Sequence, residues 1–272
     1  MLRAKKSLGQ NFLADESVVE HIVRAVGPRA DETLLEIGPG HGALTARLLE
    51  GAGRVVAVEY DRELVAELNE RFGEHENFKL IEGDALAQDL CALVAPAARA
   101  RVVANLPYYI STAILQRLIE QRRCLSEMVL MLQSEVVERI TARPGTSERG
   151  FLTVLVEAYC EAEKLFDVAP GAFRPVPKVW STVVRLSVRP GDDVLIKDEQ
   201  LFWLLASAGF AQRRKTIFNN LRAAGGELRA RLDESGGTIS ALARADIEAQ
   251  RRAETLSIEE WARLTRVVGE AT

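Results

Sequence analysis

Apolar residues in the first two-thirds of the chain follow two alternating periodicities. Residues 16–26 place apolar side chains three and four positions apart, which predicts an amphipathic helix. Residues 33–38 form a short apolar run that ends in glycine, which is typical of a buried parallel strand. The alternation continues, and it predicts strands at 33–38, 54–59, 78–83, 101–106 and 128–133, with helices at 16–26 and 43–49 and others opened by Asp61 and Ser111.

Strands that alternate with helices predict an α/β fold with a doubly wound, mostly parallel, Rossmann-like sheet. The pattern changes at residues 189–193, RPGDD, which have the composition of a linker. The remaining sequence is helical in pattern, and Ser257 with Glu260 predicts a capping box. We therefore expect one domain over residues 1–190 and a small all-helical domain over residues 191–272.

The bulk composition is that of a globular protein with a large core. Of the 272 residues 47% are hydrophobic and 27% are charged, and the formal net charge is −4. Proteins that bind nucleic acid usually carry an excess of Lys and Arg. A nucleic-acid contact in this acidic chain would therefore need a local basic patch.

The three cysteines, Cys91, Cys124 and Cys160, are scattered and form no Cys-x-x-Cys pair. This spacing predicts reduced core thiols in an intracellular protein. The three histidines do not stand near them at ligand spacing, so we expect no metal site. The N-terminal sequence shows neither a signal peptide nor a membrane span, and we predict a cytoplasmic protein without a membrane partner.

The sequence GPGHG at residues 38–42 stands where the first strand should turn into a helix. Gly38 and Gly40 would let the backbone approach a ligand closely. A dinucleotide site has the spacing G-x-G-x-x-G, whereas this loop has G-x-G-x-G with Glu36 before it. A carboxylate there suits the ammonium group of S-adenosylmethionine. A tight turn without a ligand is the third interpretation.

Two more carboxylates follow the next two strands. Glu59 ends the second strand, where it could accept both ribose hydroxyl protons, and Asp84 follows the third, where it could accept from an adenine amino group. Each alone is more often a solvated side chain or a helix cap. Together they mark the carboxyl edge of the sheet as a ligand site.

The tetrapeptide NLPY, residues 105–108, ends the fourth strand. Adenine N6 is a poor nucleophile because its lone pair is delocalised into the ring. The side-chain oxygen of Asn105 and the carbonyl of Leu106 could accept hydrogen bonds from its two N–H groups. This would favour the pyramidal geometry in which the lone pair can attack a methyl group. Pro107 fixes the backbone, and Tyr108 could stack on an extruded base. The alternative is a proline-containing strand end with a core tyrosine.

These motifs resemble the ribosomal RNA adenine dimethyltransferase family over nearly the whole chain. The matching stretches are KKSLGQNFL (5–13), NLPYYIST (105–112), MLQSEVVERI (131–140), PGAFRPVPKV (170–179) and QRRKTIFNNL (212–221). The resemblance implies that the first stretch closes over the methionine end of the cofactor, and that Phe173 is a second aromatic near the target base. The implied contacts to S-adenosylmethionine are Gln10, Asn11, Leu13, Glu36, Gly38, Gly40, Glu59, Asp84, Ala85 and Asn105.

The resemblance also implies a substrate, which is small-subunit ribosomal RNA in an immature small subunit. Bacterial members dimethylate two adjacent adenosines in a hairpin near the 3′ end. Macrolide-resistance relatives act on large-subunit RNA and are strongly basic, so the acidic balance favours the small-subunit enzyme, and we expect a monomer. The alternatives are an adenine in another nucleic acid, such as large-subunit RNA, and an assembly factor that has lost its chemistry.

Three positions depart from the family pattern. Tyr109 stands where Asn is common, Trp180 where an acidic residue is common, and Arg149 where Tyr is usual. We expect all three to flank the pocket and to affect the fit of RNA more than the chemistry. His41, inside the glycine loop, is interpreted as a variable position.

A basic run, Arg213, Arg214 and Lys215, is predicted to begin the second helix of the C-terminal domain. Arg3, Lys5 and Lys6 add positive charge near the N-terminus. Short runs of this kind are most often solvated helix faces. In an acidic chain that resembles RNA-modifying enzymes, residues 213–215 are the best candidates for phosphate contacts.

Overall fold

The computed structural model describes residues 10–191 and 194–270 and divides the chain into two compact units. The first unit comprises the chain up to Val137 together with Glu161–Val188, and the second comprises Glu138–Cys160 and the chain from Arg189 onwards. The sequence pattern predicts one boundary at residue 190. The structure differs because residues 138–160 leave the first unit and return to it. Arg3, Lys5 and Lys6 lie outside the described residues.

The first unit is built on one sheet. Among the described residues it has seven strands, in the order β4-β3-β2-β5-β6-β9-β7, and β1 pairs with β8 in a separate ladder. Strands β2 to β6 run parallel, whereas β9 pairs antiparallel with β6. The strands are β1 (Phe12–Leu13), β2 (Thr33–Ile37), β3 (Arg54–Glu59), β4 (Phe78–Glu82), β5 (Ala100–Asn105), β6 (Leu125–Gln133), β7 (Cys160–Val168), β8 (Phe173–Arg174) and β9 (Ser181–Val188).

This topology confirms the predicted doubly wound sheet. The five strands expected from the sequence are all present within a few residues of their predicted bounds. The pattern did not assign β7 and β9, which lie next to each other at one side of the sheet. Parallel β2 and β3 are almost wholly buried, which agrees with their continuous apolar sequence.

Helices of the first unit cover the sheet with their apolar faces. In α1, Val19, Ile22 and Val26 are buried at helical spacing, and Asp15 caps the helix by accepting from the backbone N–H of Ser17. Asp61 caps α3 in the same way, as predicted. The helices are α1 (Glu16–Val26), α2 (Ala43–Gly51), α3 (Arg62–Phe72), α4 (Leu90–Val94) and α5 (Ser111–Glu120), and α6 (Ser134–Ile140) leads into the second unit.

The second unit is helical. Its core contains Trp261 of α12, whose indole lies so close to Gly209 of α8 that a Cβ there would come within 2.5 Å of the ring. Ser257 and Glu260 form the predicted capping box of α12. The helices are α7 (Phe151–Tyr159), α8 (Glu199–Gly209), α9 (Ile217–Arg222), α10 (Gly226–Glu234), α11 (Thr238–Arg244) and α12 (Ile258–Gly269).

Two of the cysteines are not the reduced thiols that the sequence spacing predicts. Cys91 of α4 and Cys124, just before β6, are joined by a disulfide, with their Cα atoms 5.4 Å apart. Packing of α4 against the turn at Arg122–Cys124 brings them together across 33 residues of sequence. Cys160 is free and buried. Over the part of the chain described, no helix is long and apolar enough to cross a membrane.

Candidate active site

A cavity of about 400 Å³ opens at the carboxyl ends of the parallel strands of the first unit. This size lies within the range of small-molecule sites, and the position is the one at which open α/β sheets bind ligands. Every residue assigned to the cofactor from the sequence lines it. These residues are Gln10, Asn11, Leu13, Glu36, Gly38, Gly40, Glu59, Asp84, Ala85 and Asn105.

The glycine loop after β2 forms one wall of the cavity. Gly38 has a φ of +68°, and no atom lies within 4 Å of the position a Cβ would take. Gly40 has a φ of +59°, and a Cβ there would lie 3.0 Å from the ring of Phe12. Both positions favour glycine because other residues rarely adopt this conformation. There is therefore free space next to the backbone at Gly38, whereas the ring of Phe12 packs against the backbone at Gly40.

Glu36, the penultimate residue of β2, is buried and lines the cavity. The Thr45 hydroxyl donates to its carboxylate at 2.7 Å. Burial raises the pKa of Glu36 to about 7, against the lowering effect of that hydrogen bond and with a smaller raising effect from the charge of Glu59. The protonation of this buried carboxyl near neutral pH therefore depends on the charges around it.

Glu59 organises the backbone around it. Its carboxylate accepts hydrogen bonds from the backbone N–H groups of Gly40 at 3.1 Å and of Tyr60 and Asp61 at 2.9 Å each. Burial raises the pKa of Glu59, while these three hydrogen bonds oppose the rise. Each carboxylate oxygen has two lone pairs, so the group can hold the loop and still accept from a ligand hydroxyl.

Asp84 lies on the far side of the cavity, after β4. Its carboxylate accepts from the backbone N–H of Leu86 at 2.9 Å, which fixes the turn that also carries Ala85. With Glu36 and Glu59, it gives the cavity three carboxyl groups. The described lining residues include neither Lys nor Arg. The cavity therefore has the charge expected for a cationic ligand.

The side chain of Asn105 is oriented by the N-terminal segment of the first unit. Its amide nitrogen donates to the backbone oxygen of Asn11 at 3.1 Å, across 94 residues of sequence. A carbonyl oxygen only accepts, so this contact determines which end of the amide is the NH₂ group. Among the described residues none donates to the Asn105 Oδ1 atom, which can therefore accept from a ligand.

Tyr108, two residues after Leu106 in the same loop, lines the cavity and is held by a distant strand. Its hydroxyl lies 2.8 Å from the hydroxyl of Ser181, the first residue of β9. Burial raises the pKa of Tyr108, so the phenol stays neutral. Leu106 and Pro107 line the cavity between Asn105 and Tyr108. The four residues of the NLPY motif therefore meet at one site.

Residues 10–13 cross the cavity above the ends of the strands. Gln10 donates to the Asp61 carboxylate at 3.1 Å, and the ring of Phe12 lies 4.2 Å from the ring of His41. The Nδ1 atom of His41 also contacts Glu67 at 3.0 Å. The segment joins the glycine loop to the NLPY motif.

Phe173 is not where the resemblance implies. Its ring is fully buried in the core of the first unit, and it does not line the cavity. Its backbone pairs with Leu13 in the β1–β8 ladder, which places the side chain underneath the segment rather than in the site. We correct the assignment: Phe173 is a core residue of the first unit and does not line the cavity.

The three departures from the family pattern have different surroundings, and Trp180 is exposed but does not line the cavity. Tyr109 lines the cavity and is exposed, together with Tyr60. Burial raises the pKa of Tyr109, and the nearby groups of Asp84, Tyr60 and Glu59 add to the rise. Arg149 does not flank the pocket. It is buried in the second unit, where its guanidinium contacts Glu157 at 2.5 Å.

The basic run lies in an exposed loop and not on a helix. Thr216 caps α9, which begins at Ile217, so residues 213–215 precede it. The guanidinium of Arg213 donates to the backbone oxygen of Ser147. The prediction that these residues begin the helix is therefore wrong by about one turn. The helix starts later because Thr216, directly after Lys215, is its N-cap.

The sequence did not reveal the residues that hold the site from a distance. Ser181 stands 73 residues from Tyr108, and Thr45 bonds Glu36 from the face of α2. A serine or a threonine carries no sequence signal for such a role. The exposed tyrosine after Glu59, Tyr60, could have been identified from its place at the end of a strand.

The fold and the site together define a class of protein. The chain has a Rossmann-like sheet, a glycine loop after its first parallel strand, a carboxylate at the end of the next, and Asn-Leu-Pro-Tyr at the end of β5. These are the features of a methyltransferase. The family model described as ribosomal RNA adenine dimethylase matches residues 1–264, and the chain belongs to this family.

Individual relatives agree with this assignment. A ribosomal RNA small subunit methyltransferase A from Hahella chejuensis is 41% identical over 98% of this chain and 93% of its own length. One from Xanthomonas campestris is 48% identical over 80% of this chain and 83% of its own length. Among solved structures, a dimethyladenosine transferase from Plasmodium falciparum has a TM-score of 0.80 at 25% identity, covering 96% of this chain and 98% of its own. The 23S rRNA methyltransferase ErmE has a TM-score of 0.67 at 27% identity, covering 95% and 100%.

Proposed function

We propose that this enzyme transfers methyl groups from S-adenosylmethionine to N6 of two adjacent adenosines in a 3′-terminal hairpin of small-subunit ribosomal RNA. The observation that carries the proposal is the orientation of Asn105, whose NH₂ group is bound to Asn11 and whose Oδ1 atom is left to accept. The relatives named as small-subunit methyltransferases support the choice of RNA. Such an enzyme acts in the cytoplasm on the immature subunit as a monomer.

The residues of the cavity fit S-adenosylmethionine. The open backbone at Gly38 leaves room for a ligand, and three carboxyl groups without a neighbouring described Lys or Arg suit a ligand with an ammonium and a sulfonium group. A pyrophosphate would meet only like charge there. This argument favours S-adenosylmethionine over the dinucleotide that the glycine loop alone left open.

Within the cavity, each carboxylate has a separate task. Glu59 accepts from the ribose hydroxyls while it holds the backbone at Gly40, and Asp84 accepts from the adenine amino group. Glu36 lies beneath the glycine loop with its pKa raised to about 7, and the positive charge of a bound cofactor would favour its ionised form. Gln10, Asn11 and Leu13 cover the ligand from above, because their segment crosses the strand ends. S-adenosylmethionine, when bound, supplies a methyl group on a positively charged sulfur.

Asn105 and Leu106 prepare the target amino group. The Asn105 Oδ1 atom and the Leu106 carbonyl accept hydrogen bonds from the two N–H groups of adenine N6. This geometry draws the N6 lone pair out of conjugation with the ring and directs it at the methyl group. The new bond forms from N6 to the methyl carbon as the carbon–sulfur bond breaks. The N6 proton is then lost to solvent, since the methylated ammonium is acidic and needs no strong base.

Tyr108 keeps the flipped base in place. Its ring stacks on the purine, which offsets part of the free energy of unstacking it from the RNA. The bond to Ser181 fixes the ring in one orientation, so little side-chain entropy is lost on binding. Arg213, Arg214 and Lys215 would bind RNA phosphates, since all three side chains are exposed in one loop.

The Asn105→Ala variant tests this proposal. We expect methyl transfer to immature small subunits to fall about a hundredfold or more, because one acceptor of the reacting group is lost. Affinity for S-adenosylhomocysteine, measured by calorimetry, should stay within about tenfold, because one hydrogen bond contributes about 1 kcal/mol. Wild-type turnover in this variant would contradict the role of Asn105.

The choice of substrate needs its own measurement. Wild-type protein should methylate immature small subunits and leave naked large-subunit RNA unmodified. Mass spectrometry of small-subunit RNA from cells with and without the gene should show two dimethylated adenosines that disappear on deletion. Methylation of large-subunit RNA alone would support the alternative substrate, and no methylation of either would support a noncatalytic assembly role.

A further inference from the structure

The loop between β8 and β9, residues 175–180, exposes three large apolar side chains within five residues. We call it the Trp180 loop. Val176 is 57% exposed, Val179 is 43% exposed and Trp180 is 55% exposed. Single exposed apolar residues are ordinary, whereas three on one short loop are the kind of feature that indicates an interaction surface. The mechanism proposed above uses none of these side chains.

The Trp180 loop is held at both ends. Before it, β8 pairs with β1 through Phe173 and Arg174. After it, the backbone oxygen of Trp180 accepts from the backbone N–H of Ser134 at 3.0 Å, and β9 begins at Ser181. Pro175 and Pro177 also fix their own φ angles. The apolar side chains therefore stand on a short, restrained backbone, which lowers the entropy lost when they bind.

The loop ends next to a residue that contacts Tyr108. Ser181, whose hydroxyl lies 2.8 Å from the hydroxyl of Tyr108, directly follows Trp180 in sequence. Adjacent Cα atoms are about 3.8 Å apart, so Trp180 is one residue from the contact that holds Tyr108. This position puts the loop within reach of a nucleotide next to the base that Tyr108 would stack on.

The charge on the loop is positive. Lys178 is exposed within it, and Arg174 is exposed at its start, where its guanidinium donates to the backbone oxygens of Gly171 and Phe173. An aromatic side chain with neighbouring cations is the combination that binds single-stranded nucleic acid, because bases stack on the ring while the cations meet phosphate. A protein partner would not need the aromatic ring to lie beside the base pocket.

We propose that Trp180 stacks on the unpaired base next to the adenosine being methylated, and that the Trp180 loop is therefore a second base-binding site. The inference rests on the proposed function, since it takes the substrate to be RNA with a flipped adenosine. Extruding one base leaves its neighbour without a stacking partner. The indole supplies that partner, and Val176 and Val179 extend the apolar surface around it.

Three variants test the stacking. With immature small subunits as substrate, Trp180→Ala should weaken RNA binding about tenfold, and Trp180→Phe, which keeps a ring, should restore most of the loss. Affinity for S-adenosylhomocysteine should not change in either. Ile239→Ala removes an apolar side chain that is 57% exposed in the second unit, and it should leave all these values unchanged. Circular dichroism confirms that each variant is folded.

A thermodynamic cycle separates base stacking from other contacts. Small subunits are reconstituted with an RNA whose nucleotide beside the target adenosine lacks its base, and binding is measured for wild type and for Trp180→Ala. If the indole stacks on that base, each change alone weakens binding about tenfold and the two together weaken it no further. Additive losses would overturn the proposal and point to contact with a ribosomal protein or another part of the RNA.

The same assay distinguishes the two proposals. Wild-type protein that transfers no methyl group to intact subunits would refute the proposed function itself. Normal transfer by wild type, with no effect of Trp180→Ala on binding, would refute the stacking alone. A loss that Trp180→Phe fails to restore would also overturn it, because the phenyl ring retains the face on which a base stacks.

Discussion

At the scale of single residues, the active site is oriented by groups that are far away in sequence. The direction of the Asn105 amide depends on a backbone oxygen of Asn11, and the position of the Tyr108 ring depends on Ser181. Both catalytic side chains are therefore arranged before any ligand binds. Such preorganisation lowers the barrier because little reorientation is left for the reaction itself.

Glu36 gives a prediction on stability and pH. Its pKa is raised by burial from 4.5 to about 7, so the folded protein holds a proton there that the unfolded chain releases at lower pH. The stability this proton confers is fully present below pH 4.5 and is lost as the pH rises through 7. A Glu36→Gln variant has no group that titrates there, so it should not lose this stability as the pH rises. Its amide oxygen can still accept the hydrogen bond from Thr45.

We therefore expect Glu36→Gln to gain about 2 kcal/mol over the wild type between pH 5 and pH 8, from 1.36 kcal/mol for each unit of pKa. Urea unfolding without cofactor at the two pH values measures the gain. Glu20→Gln, an exposed position on α1, is the control and should show no comparable difference. An equal pH dependence in wild type and Glu36→Gln would contradict the raised pKa.

At the scale of elements, the short β1–β8 ladder connects the core to the site. Leu13 of β1 lines the cavity, and its partner in the ladder, Phe173, is buried beneath it. Asn11, which orients Asn105, directly precedes β1. The ladder therefore transmits the position of a core side chain to the catalytic amide. Its two strands have only two residues each, so the packing of Phe173 matters more than the ladder's hydrogen bonds.

Substitution of Phe173 separates packing from catalysis. Phe173→Ala should destabilise the protein by about 3 to 5 kcal/mol because it leaves a cavity in the core. Phe173→Leu should cost about 1 kcal/mol and keep methyl transfer within about threefold at 25 °C, where the protein stays folded. Urea unfolding and a transfer assay measure both. A tenfold or greater loss of transfer in folded Phe173→Leu would restore the aromatic role implied by the family resemblance.

At the scale of the whole molecule, an acidic chain has to bind a polyanion. The net charge of −4 opposes RNA overall, so binding depends on where the positive charge is placed. Residues 213–215 stand in an exposed loop of the second unit. Among described residues, the side chains of Arg214 and Lys215 lie in no ion pair, which leaves their charge for phosphate.

Replacing Arg213, Arg214 and Lys215 with Ala should weaken binding to immature subunits and reduce the slope of log K against log salt by about 2 to 3. Equilibrium binding at several salt concentrations measures the slope. A control variant replaces three arginines that are ion-paired in the structure, Arg62, Arg229 and Arg252, and removes the same charge. Equal slopes for the two variants would show that residues 213–215 have no special role.

Much of the fold and the chemistry follows from local sequence. The periodicity of apolar side chains repeats the geometry of strand and helix, so five strands and the cap at Asp61 could be predicted. The residues at strand ends could be assigned to one edge because parallel strands end together. The glycine loop, the carboxylates and the NLPY motif meet in the cavity for this reason.

The tertiary structure alone decided the contacts between distant residues. It buried Phe173 under β1, placed Arg149 in the core of the second unit, joined Cys91 to Cys124 and gave residues 138–160 to the second unit. Periodicity states which side of an element is buried, but not which other element covers it. The orientation of the Asn105 amide and the restraint on Tyr108 depend on that packing, so the sequence supplied the reacting groups and the fold determined their geometry.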